Sequence, residues 1–278
     1  YVPDSPEYAI PYKNQITIEQ LLGHYAGVFD VSNSPIPINV SAPYAGKYYL
    51  DYIKEELGQS NHTFTYEEMV NVVDANNLSY YPPGTAFHYS NTGYSILGKI
   101  VERVSGLSYA SFMEQSLLKP NGLAETSFPS MGDQRTLPSP FATGYVWIQG
   151  QSYEATLENM SPHVAEGNVI TASNDLAQWT RLLYSAQAGI NKTNVDLMKD
   201  VKPTGEEHGL YGLGTTYLEG VGFGHNGAHA GYLTVTRYDP EKDVTIVVFA
   251  SVINAEDIYG QIDFMYDLCF NAKQLLEV

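Results

Sequence analysis

Apolar residues recur at helical spacing over the first two thirds of the chain. The clearest run covers residues 91–104 and closes at Ser105-Gly106, as expected for a helix that ends at a glycine. Residues 65–73 and 174–183 carry the same spacing, and residues 109–118 place aromatic and aliphatic side chains on one face before a stop at 119–122. Thr17 precedes Glu19-Gln20 and predicts a capped helix that ends near Gly27.

The periodicity changes to that of strands from residue 209 onward. Residues 211–218, 233–238 and 244–252 are rich in β-branched and aromatic side chains, and residues 239–243 have the composition of a hairpin loop. We therefore predict a three-stranded antiparallel meander. Residues 255–276 are predicted to form one amphipathic helix, whose buried stripe comprises Ile258, Ile262, Met265, Leu268 and Cys269.

These elements predict an α+β fold. A mostly helical lobe, residues 1–190, is expected to pack on an antiparallel sheet with a C-terminal helix, residues 191–278. No internal repeat or low-complexity linker separates the two parts, so we expect them to form one domain.

Charge excludes some classes of partner. The 278 residues include 14 Lys+Arg and 31 Asp+Glu, for a formal net charge of -17. Such a surface repels phosphate backbones and anionic headgroups, so we expect no nucleic-acid partner. The single cysteine, Cys269, excludes an internal disulfide and is expected to be buried.

The sequence gives weak indications of location. It contains no apolar run long enough to span a bilayer, and residues 1 onward lack the pattern of a signal peptide. The many tyrosines, the few lysines and the sequons at Asn61 and Asn77 favour a periplasmic or secreted, hence extracytoplasmic, protein over a cytoplasmic one.

The most informative local pattern is the segment 81–94. Tyr89 and Asn91 lie two residues apart between a Pro82-Pro83-Gly84-Thr85 turn and the start of the helix predicted at 91–104. A hydroxyl and a carboxamide in this position are what a catalytic loop would present.

A Tyr-x-Asn pattern after a P-P-G-T turn resembles the serine hydrolases of the penicillin-binding fold, namely class C β-lactamases, D-alanyl-D-alanine carboxypeptidases, and related esterases and D-aminopeptidases. Further segments resemble the same family in the same order. Residues 16–27 are similar to the family's I-T-I-x-x-L-L-x-H-x-S-G segment, with Ala26 in place of Ser, and residues 118–128 are similar to its P-L-G-M-x-x-T-x-F segment. Residues 165–177 are similar to A-G-G-x-x-S-T-x-x-D-L-A, and residues 224–232 are similar to the K-T-G or H-x-G strand.

The resemblance implies a β-lactamase/transpeptidase-like fold and hydrolysis of an ester, amide or lactam carbonyl through an acyl-enzyme. In that family the nucleophile lies in a Ser-x-x-Lys turn upstream of the I-T-I segment, and residues 1–4 look like the sequence just after that helix. We therefore expect the nucleophile helix and the N-terminal strands to be missing from this chain, which alone should not turn over substrate.

The resemblance also implies roles for the loop residues. Tyr89 would take the proton of the serine and return it to the leaving group, provided that nearby cations help it to ionise. Asn91 would bind a substrate carbonyl and orient the catalytic lysine. The simpler alternative for Asn91 is that it only caps the following helix.

On the predicted H-x-G strand, His225 would provide positive potential or a hydrogen bond to substrate or to Tyr89. The N–H of Ala228 would be one oxyanion-hole donor, and Asn226 and Gly227 are expected to bind substrate. Histidine stands where true penicillin-binding proteins have lysine, which weakens the case for a carboxylate-bearing peptide or lactam substrate. The glycines beside His225 suggest close approach of a ligand.

Two other residues attract attention without carrying the same expectation. Ser116 and Lys119 have Ser-x-x-Lys spacing, but they end a predicted helix instead of opening one, so Ser116 is not expected to be the nucleophile. His24 is expected to be a buried hydrogen-bonding residue that supports the core.

No cofactor is expected, and no metal, because the His and Asp residues lack metal-ligand spacing. The expected partner is a small-molecule or peptide substrate. Two alternatives stay open: a catalytically inactive binding protein or sensor that keeps only the substrate site, and one fragment of a two-chain enzyme whose N-terminal piece docks on an open sheet edge.

Overall fold

The computed structural model describes residues 1–205 and 209–276. They divide into two units, each assembled from separate parts of the chain. The helical unit comprises Tyr1–Ser116, Ser127–Arg135 and Asn159–Ile170. The sheet unit comprises Leu117–Thr126, Thr136–Glu158 and the described part of Thr171–Val278.

The helices of the helical unit begin at capping residues that the sequence indicates. Thr17 and Gln20 form a reciprocal capping box, Thr65 accepts from Glu68 N–H, and Gly106 ends a helix with a left-handed φ of 71°. The helices are α1 (Ile18–Leu22), α2 (Tyr49–Asp51, continued as a π-helix over Tyr52–Glu56), α3 (Tyr66–Ala75), α4 (Asn91–Ser105) and α5 (Tyr109–Met113, continued as a π-helix over Glu114–Leu118). The predicted end near Gly27 is wrong, because the chain leaves α1 at Gly23 and His24 has a φ of 61°.

The core of the helical unit forms around one face of α3. Val70 and Val73 are almost fully buried there and belong to the same apolar cluster as Ile96 of α4. Each such side chain contributes about 1.5–3 kcal/mol when removed from water. A Cβ on Gly98 of α4 would lie 2.6 Å from Tyr66 Oη, so only glycine fits at this position.

The sheet unit contains all nine strands of the described residues. One sheet has six antiparallel strands in the order β3-β4-β5-β6-β7-β8, and the other has the order β2-β1-β9. The strands are β1 (Tyr145–Ile148), β2 (Gln151–Glu154), β3 (Lys202–Pro203), β4 (Leu210–Tyr211), β5 (Thr216–Leu218), β6 (Gly222–His229), β7 (Tyr232–Asp239), β8 (Val244–Ala250) and β9 (Val252–Asn254). The helices of this unit are α6 (Ser173–Tyr184), α7 (Lys192–Met198) and α8 (Ile258–Leu275).

The α+β class is confirmed, whereas the predicted three-stranded meander is too small. Residues 211–218 do not form one strand, because β4 and β5 fold back on each other through Gly212–Thr215. Strand β6 then lies between β5 and β7. Its glycines weakened the strand pattern, since glycine adds no β-branched or aromatic side chain.

The hairpin of β1 and β2 lies where the sequence pattern predicted only loop. Its turn residues Gln149 and Gly150 both have positive φ, 52° and 75°, the conformation of a type I′ turn. Gln-Gly is a weak signal for such a turn. On the other side of β1, β9 pairs in parallel, so the predicted strand over 244–252 breaks at Ser251 into two sheets.

Most of the predicted stripe of α8 is buried against the six-stranded sheet. Ile262, Met265 and Cys269 belong to the core cluster, and Cys269 is a buried free thiol. Leu268 was predicted to be buried but is 39% exposed. In the described residues no helix is both long and apolar enough to cross a membrane.

Candidate active site

The predicted Pro-Gly turn sets the approach to Tyr89. Gly84 has a φ of 80°, and Thr85 donates both its N–H and its hydroxyl to Pro82 O, at 3.3 and 2.8 Å. The I-T-I-like segment runs alongside, because Gly84 N–H donates to Tyr25 O at 2.7 Å. The Tyr-x-Asn loop is therefore held by the segment that follows α1.

His24 fixes the centre of this loop. Its Nδ1 accepts a hydrogen bond from Ser90 N–H at 3.1 Å, its carbonyl accepts from His88 N–H at 2.9 Å, and its ring lies 4.1 Å from the Tyr89 ring. Since Nδ1 accepts, the neutral imidazole carries its proton on Nε2. His24 is 2% exposed, so the expectation of a buried, hydrogen-bonding histidine is confirmed.

Ser90, and not Asn91, caps α4. The Ser90 hydroxyl accepts from Gly93 N–H at 3.2 Å, and Asn91 is the first residue of the helix. The Asn91 carboxamide is half-buried and makes no hydrogen bond to any described residue. The capping alternative for Asn91 is wrong, and its side chain is free to bind a ligand.

Behind the loop, the segment Asp30–Val31 binds the first turn of α4. Thr92 Oγ1 accepts from Val31 N–H at 2.9 Å, and the Asp30 carboxylate accepts from Ser32 N–H at 3.1 Å. Burial, followed by the charge of Glu166, raises the pKa of Asp30 to about 6.

Glu166 is a buried carboxyl that the sequence reasoning missed. Ser95 Oγ lies 2.5 Å from its Oε1 and Ser32 Oγ lies 2.8 Å from its Oε2, while His163 Nδ1 is 3.4 Å away. Burial raises the pKa of Glu166 to about 8 despite the two hydroxyls, so it is mostly protonated at neutral pH. The signal was present in the sequence, because Glu166 stands where the A-G-G pattern has its first glycine.

The surroundings of Tyr89 favour its neutral form. Loss of water around the ring, followed by the charges of Asp30 and Glu166, raises the pKa of Tyr89 above its ordinary value. The residue is 37% exposed, so water screens part of this effect. Ionisation of Tyr89 therefore requires a cation, and the groups that shift its pKa here are acids.

In the sheet unit, His225 lies on β6 opposite Thr236. Its Nδ1 is 2.6 Å from Asn226 O and its Nε2 is 3.1 Å from Tyr211 Oη, so Nδ1 donates to the carbonyl and Nε2 accepts from the phenol. Loss of water and then Arg237 lower the pKa of His225, which is neutral at physiological pH. Of its two expected roles, the hydrogen bond suits this state better than positive potential.

Arg237 supplies the positive charge near His225. This residue of β7 is 2% exposed, donates from Nη1 to Thr216 Oγ1 at 2.7 Å, and lies 4.9 Å from the centre of the Tyr266 ring. Sequence reasoning missed it because a lone arginine in a strand pattern gives no sign that it is buried.

The two glycines beside His225 differ in their surroundings. A Cβ on Gly224 would lie 1.8 Å from Thr236 O, so that glycine is required by strand packing, whereas a Cβ on Gly227 would meet no atom within 4 Å. Gly227 and Ala228 are exposed, and β5 pairs with β6 only as far as Gly224. Alternate N–H groups beyond that point face away from β7, where no described strand pairs with them.

Asn226 is partly engaged within its own unit, since its Oδ1 accepts from Tyr266 Oη at 3.2 Å. Its amide N–H₂ makes no hydrogen bond to a described residue. Tyr89 and Asn91 thus share one loop of the helical unit, and His225, Asn226, Gly227 and Ala228 share one strand of the sheet unit.

Ser116 lies in the short π-helix that follows α5 and is exposed. It does not open a helix, so its setting differs from that of a Ser-x-x-Lys nucleophile. Among residues 1–205 and 209–276, no group of three or more His, Cys, Asp or Glu side chains is arranged to hold a metal ion.

A family model described as Beta-lactamase matches residues 1–256. The chain belongs to this family. Penicillin-binding protein 4* of Bacillus subtilis (strain 168) is 24% identical over 85% of the chain and 51% of its own length. A putative D-alanyl-D-alanine carboxypeptidase of Escherichia coli (strain K12) is 25% identical over 90% of the chain and 61% of its own length.

Among solved structures, D-amino acid amidase from Ochrobactrum anthropi SV3 aligns with a TM-score of 0.76 and 19% identity, over 97% of this chain and 75% of that one. This likeness establishes the β-lactamase/transpeptidase-like fold. The family includes serine hydrolases such as amidases and carboxypeptidases. The chain spans about half the length of the curated relatives that it matches.

Proposed function

We propose that this chain is the part of a serine hydrolase that carries the Tyr-x-Asn loop and the H-x-G strand. The substrate is an ester, an amide such as a D-amino-acid peptide, or a β-lactam. The observation that carries this proposal is the start of α4, where Ser90 supplies the cap and leaves the Asn91 carboxamide unbonded beside Tyr89.

In the proposed reaction a serine Oγ adds to the substrate carbonyl while its proton passes to the Tyr89 oxygen. The C–N or C–O bond then breaks, and Tyr89 returns the proton to the leaving group. Water attacks the acyl-enzyme in the second half, releasing the acid and the serine. Because loss of water and then the charges of Asp30 and Glu166 raise the pKa of Tyr89, the lysine of the expected upstream Ser-x-x-Lys segment would supply the cation that Tyr89 needs.

The other residues stabilise and orient. Asn91 would hold the substrate carbonyl and the lysine. Neutral His225 would accept a hydrogen bond from substrate at Nε2 in exchange for its bond from Tyr211, Ala228 N–H would bind the oxyanion, and Asn226 and Gly227 would border the substrate. Both units would serve one catalytic domain.

We also propose that an N-terminal segment, from the same protein or as a separate piece, covers part of the sheet unit. Strand β8 is an edge strand in the described sheet, and on α8 Phe264 and Leu268 are 61% and 39% exposed. A segment with strands and an apolar helix would bury these groups. Without it, we expect the 278-residue chain to be inactive.

The composition of the surface supports an extracytoplasmic location.

The test is the intact mass of the protein before and after incubation with a fluorophosphonate that labels activated serines. We expect an adduct on the full-length protein, mapped to an upstream Ser-x-x-Lys serine, and none on the 278-residue chain. A Ser116→Ala variant is the control for labelling of the exposed serine. Absence of any adduct on the full-length protein would overturn the proposed catalysis.

A binding protein or sensor is the second candidate, because Tyr89 and His225 are both neutral. This role predicts that the full-length protein binds a substrate-like D-amino-acid amide without turnover and without an adduct. Calorimetry alongside the labelling experiment distinguishes the two functions.

A further inference from the structure

Glu166 connects the two segments that hold the Tyr89–Asn91 loop from behind. One carboxyl oxygen contacts Ser32, two residues after Asp30, and the other contacts Ser95, one turn of α4 after Asn91. Its side chain is 1% exposed, so these bonds are shielded from competing water.

The two serines flank the contact that joins the Asp30–Val31 segment to the start of α4. Val31 N–H donates to Thr92 Oγ1 at 2.9 Å, and Ser32 N–H donates to the Asp30 carboxylate at 3.1 Å. Displacement of the Ser32 segment would therefore move Val31 away from Thr92, and displacement of Ser95 would tilt the first turn of α4. Glu166 opposes both movements at once.

We propose that Glu166 is a positioning residue that, by joining Ser32 to Ser95, holds the Asp30–Val31 segment against Thr92 at the start of α4 and so orients the Tyr89–Asn91 loop. Its effect on the loop follows from the contacts alone, and its effect on turnover rests on the proposed function.

The link is compatible with a mostly neutral Glu166 at physiological pH. A protonated carboxyl donates from one oxygen and accepts on the other, and either serine hydroxyl can rotate to match. The titratable groups that face this carboxyl are Asp30, His163, Tyr66 and Tyr89. When Glu166 loses its proton, its charge repels Asp30 and opposes ionisation of Tyr89, so the arrangement is weakened at alkaline pH.

The test compares Glu166→Ala with the isosteric Glu166→Gln by hydrogen exchange of the Val31 amide, which donates to Thr92, followed by NMR on the 278-residue chain. Glutamine keeps a donor and an acceptor for the two serines, while alanine removes both. We expect exchange to rise about tenfold in Glu166→Ala, the equivalent of one lost hydrogen bond, and to stay near wild type in Glu166→Gln.

Two further variants distinguish a local effect on the loop from general destabilisation of the protein. Ser95→Ala removes one link without opening a cavity at Glu166 and should give a smaller rise. Ser161→Ala is the matched control, since Ser161 is equally buried in the helical unit but accepts from Phe64 N–H and bonds to Asn159. It should lower stability without selectively exposing the Val31 amide.

The proposal is overturned if Glu166→Ala leaves exchange of the Val31 amide unchanged, if Ser161→Ala raises that exchange as much, or if Glu166→Gln behaves like Glu166→Ala. In the full-length protein we expect Glu166→Ala to lower kcat more than it changes KM, with rescue by glutamine. If the full-length wild type has no turnover, the proposed function is wrong. The hydrogen-exchange measurement still tests whether Glu166 positions the loop.

Discussion

The loop around Tyr89 and the strand around His225 hold their side chains by different means. Tyr89 and Asn91 depend on contacts with distant parts of the sequence, including His24, Val31 and Glu166. His225 depends mainly on the backbone ladder that β6 forms with β7. A loop that must be rigid needs such side-chain contacts, whereas a strand in a sheet is positioned by its register.

The two regions reach the same protonation state through the same main cause, which is loss of water. It raises the pKa of Tyr89, with a further rise from the charges of Asp30 and Glu166, and it lowers the pKa of His225, with a further fall from Arg237. Both groups are therefore neutral near pH 7, and only the tyrosine needs a cation for proton relay.

The largest difference between the regions should appear when their histidines are removed. His24→Ala leaves the buried Ser90 N–H without an acceptor, which should lower the free energy of unfolding by about 1–3 kcal/mol. His225→Ala should lower the free energy of unfolding by less, because the backbone hydrogen bonds between β6 and β7 persist. Urea denaturation measures both, and equal losses would contradict the contrast between loop and strand.

Within the strand, sensitivity should lie in the backbone. Gly224→Ala forces a Cβ against Thr236 O and should destabilise the protein by about 1–3 kcal/mol. Gly227→Ala, its matched control in open space, should change stability by less than about 0.5 kcal/mol. Thermal denaturation of the two variants measures this difference in stability. Similar losses of stability in both variants would mean that the two glycines do not differ in packing.

The acids of the loop should make stability depend on pH. A carboxyl whose pKa is raised to about 8 in the folded state stabilises the protein below its ordinary pKa and loses that contribution as the pH rises through 8. We expect stability, followed by the melting temperature, to fall between the ordinary pKa of 4.5 and about pH 8 and to level off above it. The fall is at most about 1.4 kcal/mol per pH unit for one proton. Glu166→Gln should flatten this fall; an unchanged slope would show that Glu166 is not the titrating group.

The smallest expected effect concerns Tyr211. Its phenol donates to Nε2 of neutral His225, so Tyr211→Phe removes a contact that disfavours the charged imidazole. The pKa of His225 should rise toward its ordinary value, as followed by NMR of its ring protons. Tyr217→Phe, in the neighbouring strand, is the control; a fall in the pKa of His225 would reverse the assigned tautomer.

Local sequence signals predicted the elements best where caps and periodicity agreed. The helix that begins at Asn91 and ends before Gly106 appears with nearly its predicted bounds. The hairpin of β1 and β2 was missed, because Gln149-Gly150 is an uncommon turn sequence and the strands are short and exposed.

For the candidate site, sequence patterns identified the residues that carry recognisable spacing. They did not identify Glu166 or Arg237, because the importance of each comes from burial among residues far away in the chain. Long-range hydrogen bonds leave no periodic trace in a single sequence. Gly224 was attributed to a ligand, whereas packing against Thr236 accounts for it.

The central claim is that Tyr89 relays a proton in catalysis. Steady-state kinetics of Tyr89→Phe in the full-length protein, on a D-amino-acid amide or ester, tests it most directly. Tyr94→Phe, which loses a hydrogen bond to Leu22 O in the same unit, is the matched control. We predict that kcat falls by roughly 10²–10⁴-fold in Tyr89→Phe with little change in melting temperature. A Tyr89→Phe protein that keeps the kcat of the Tyr94→Phe control would contradict the claim.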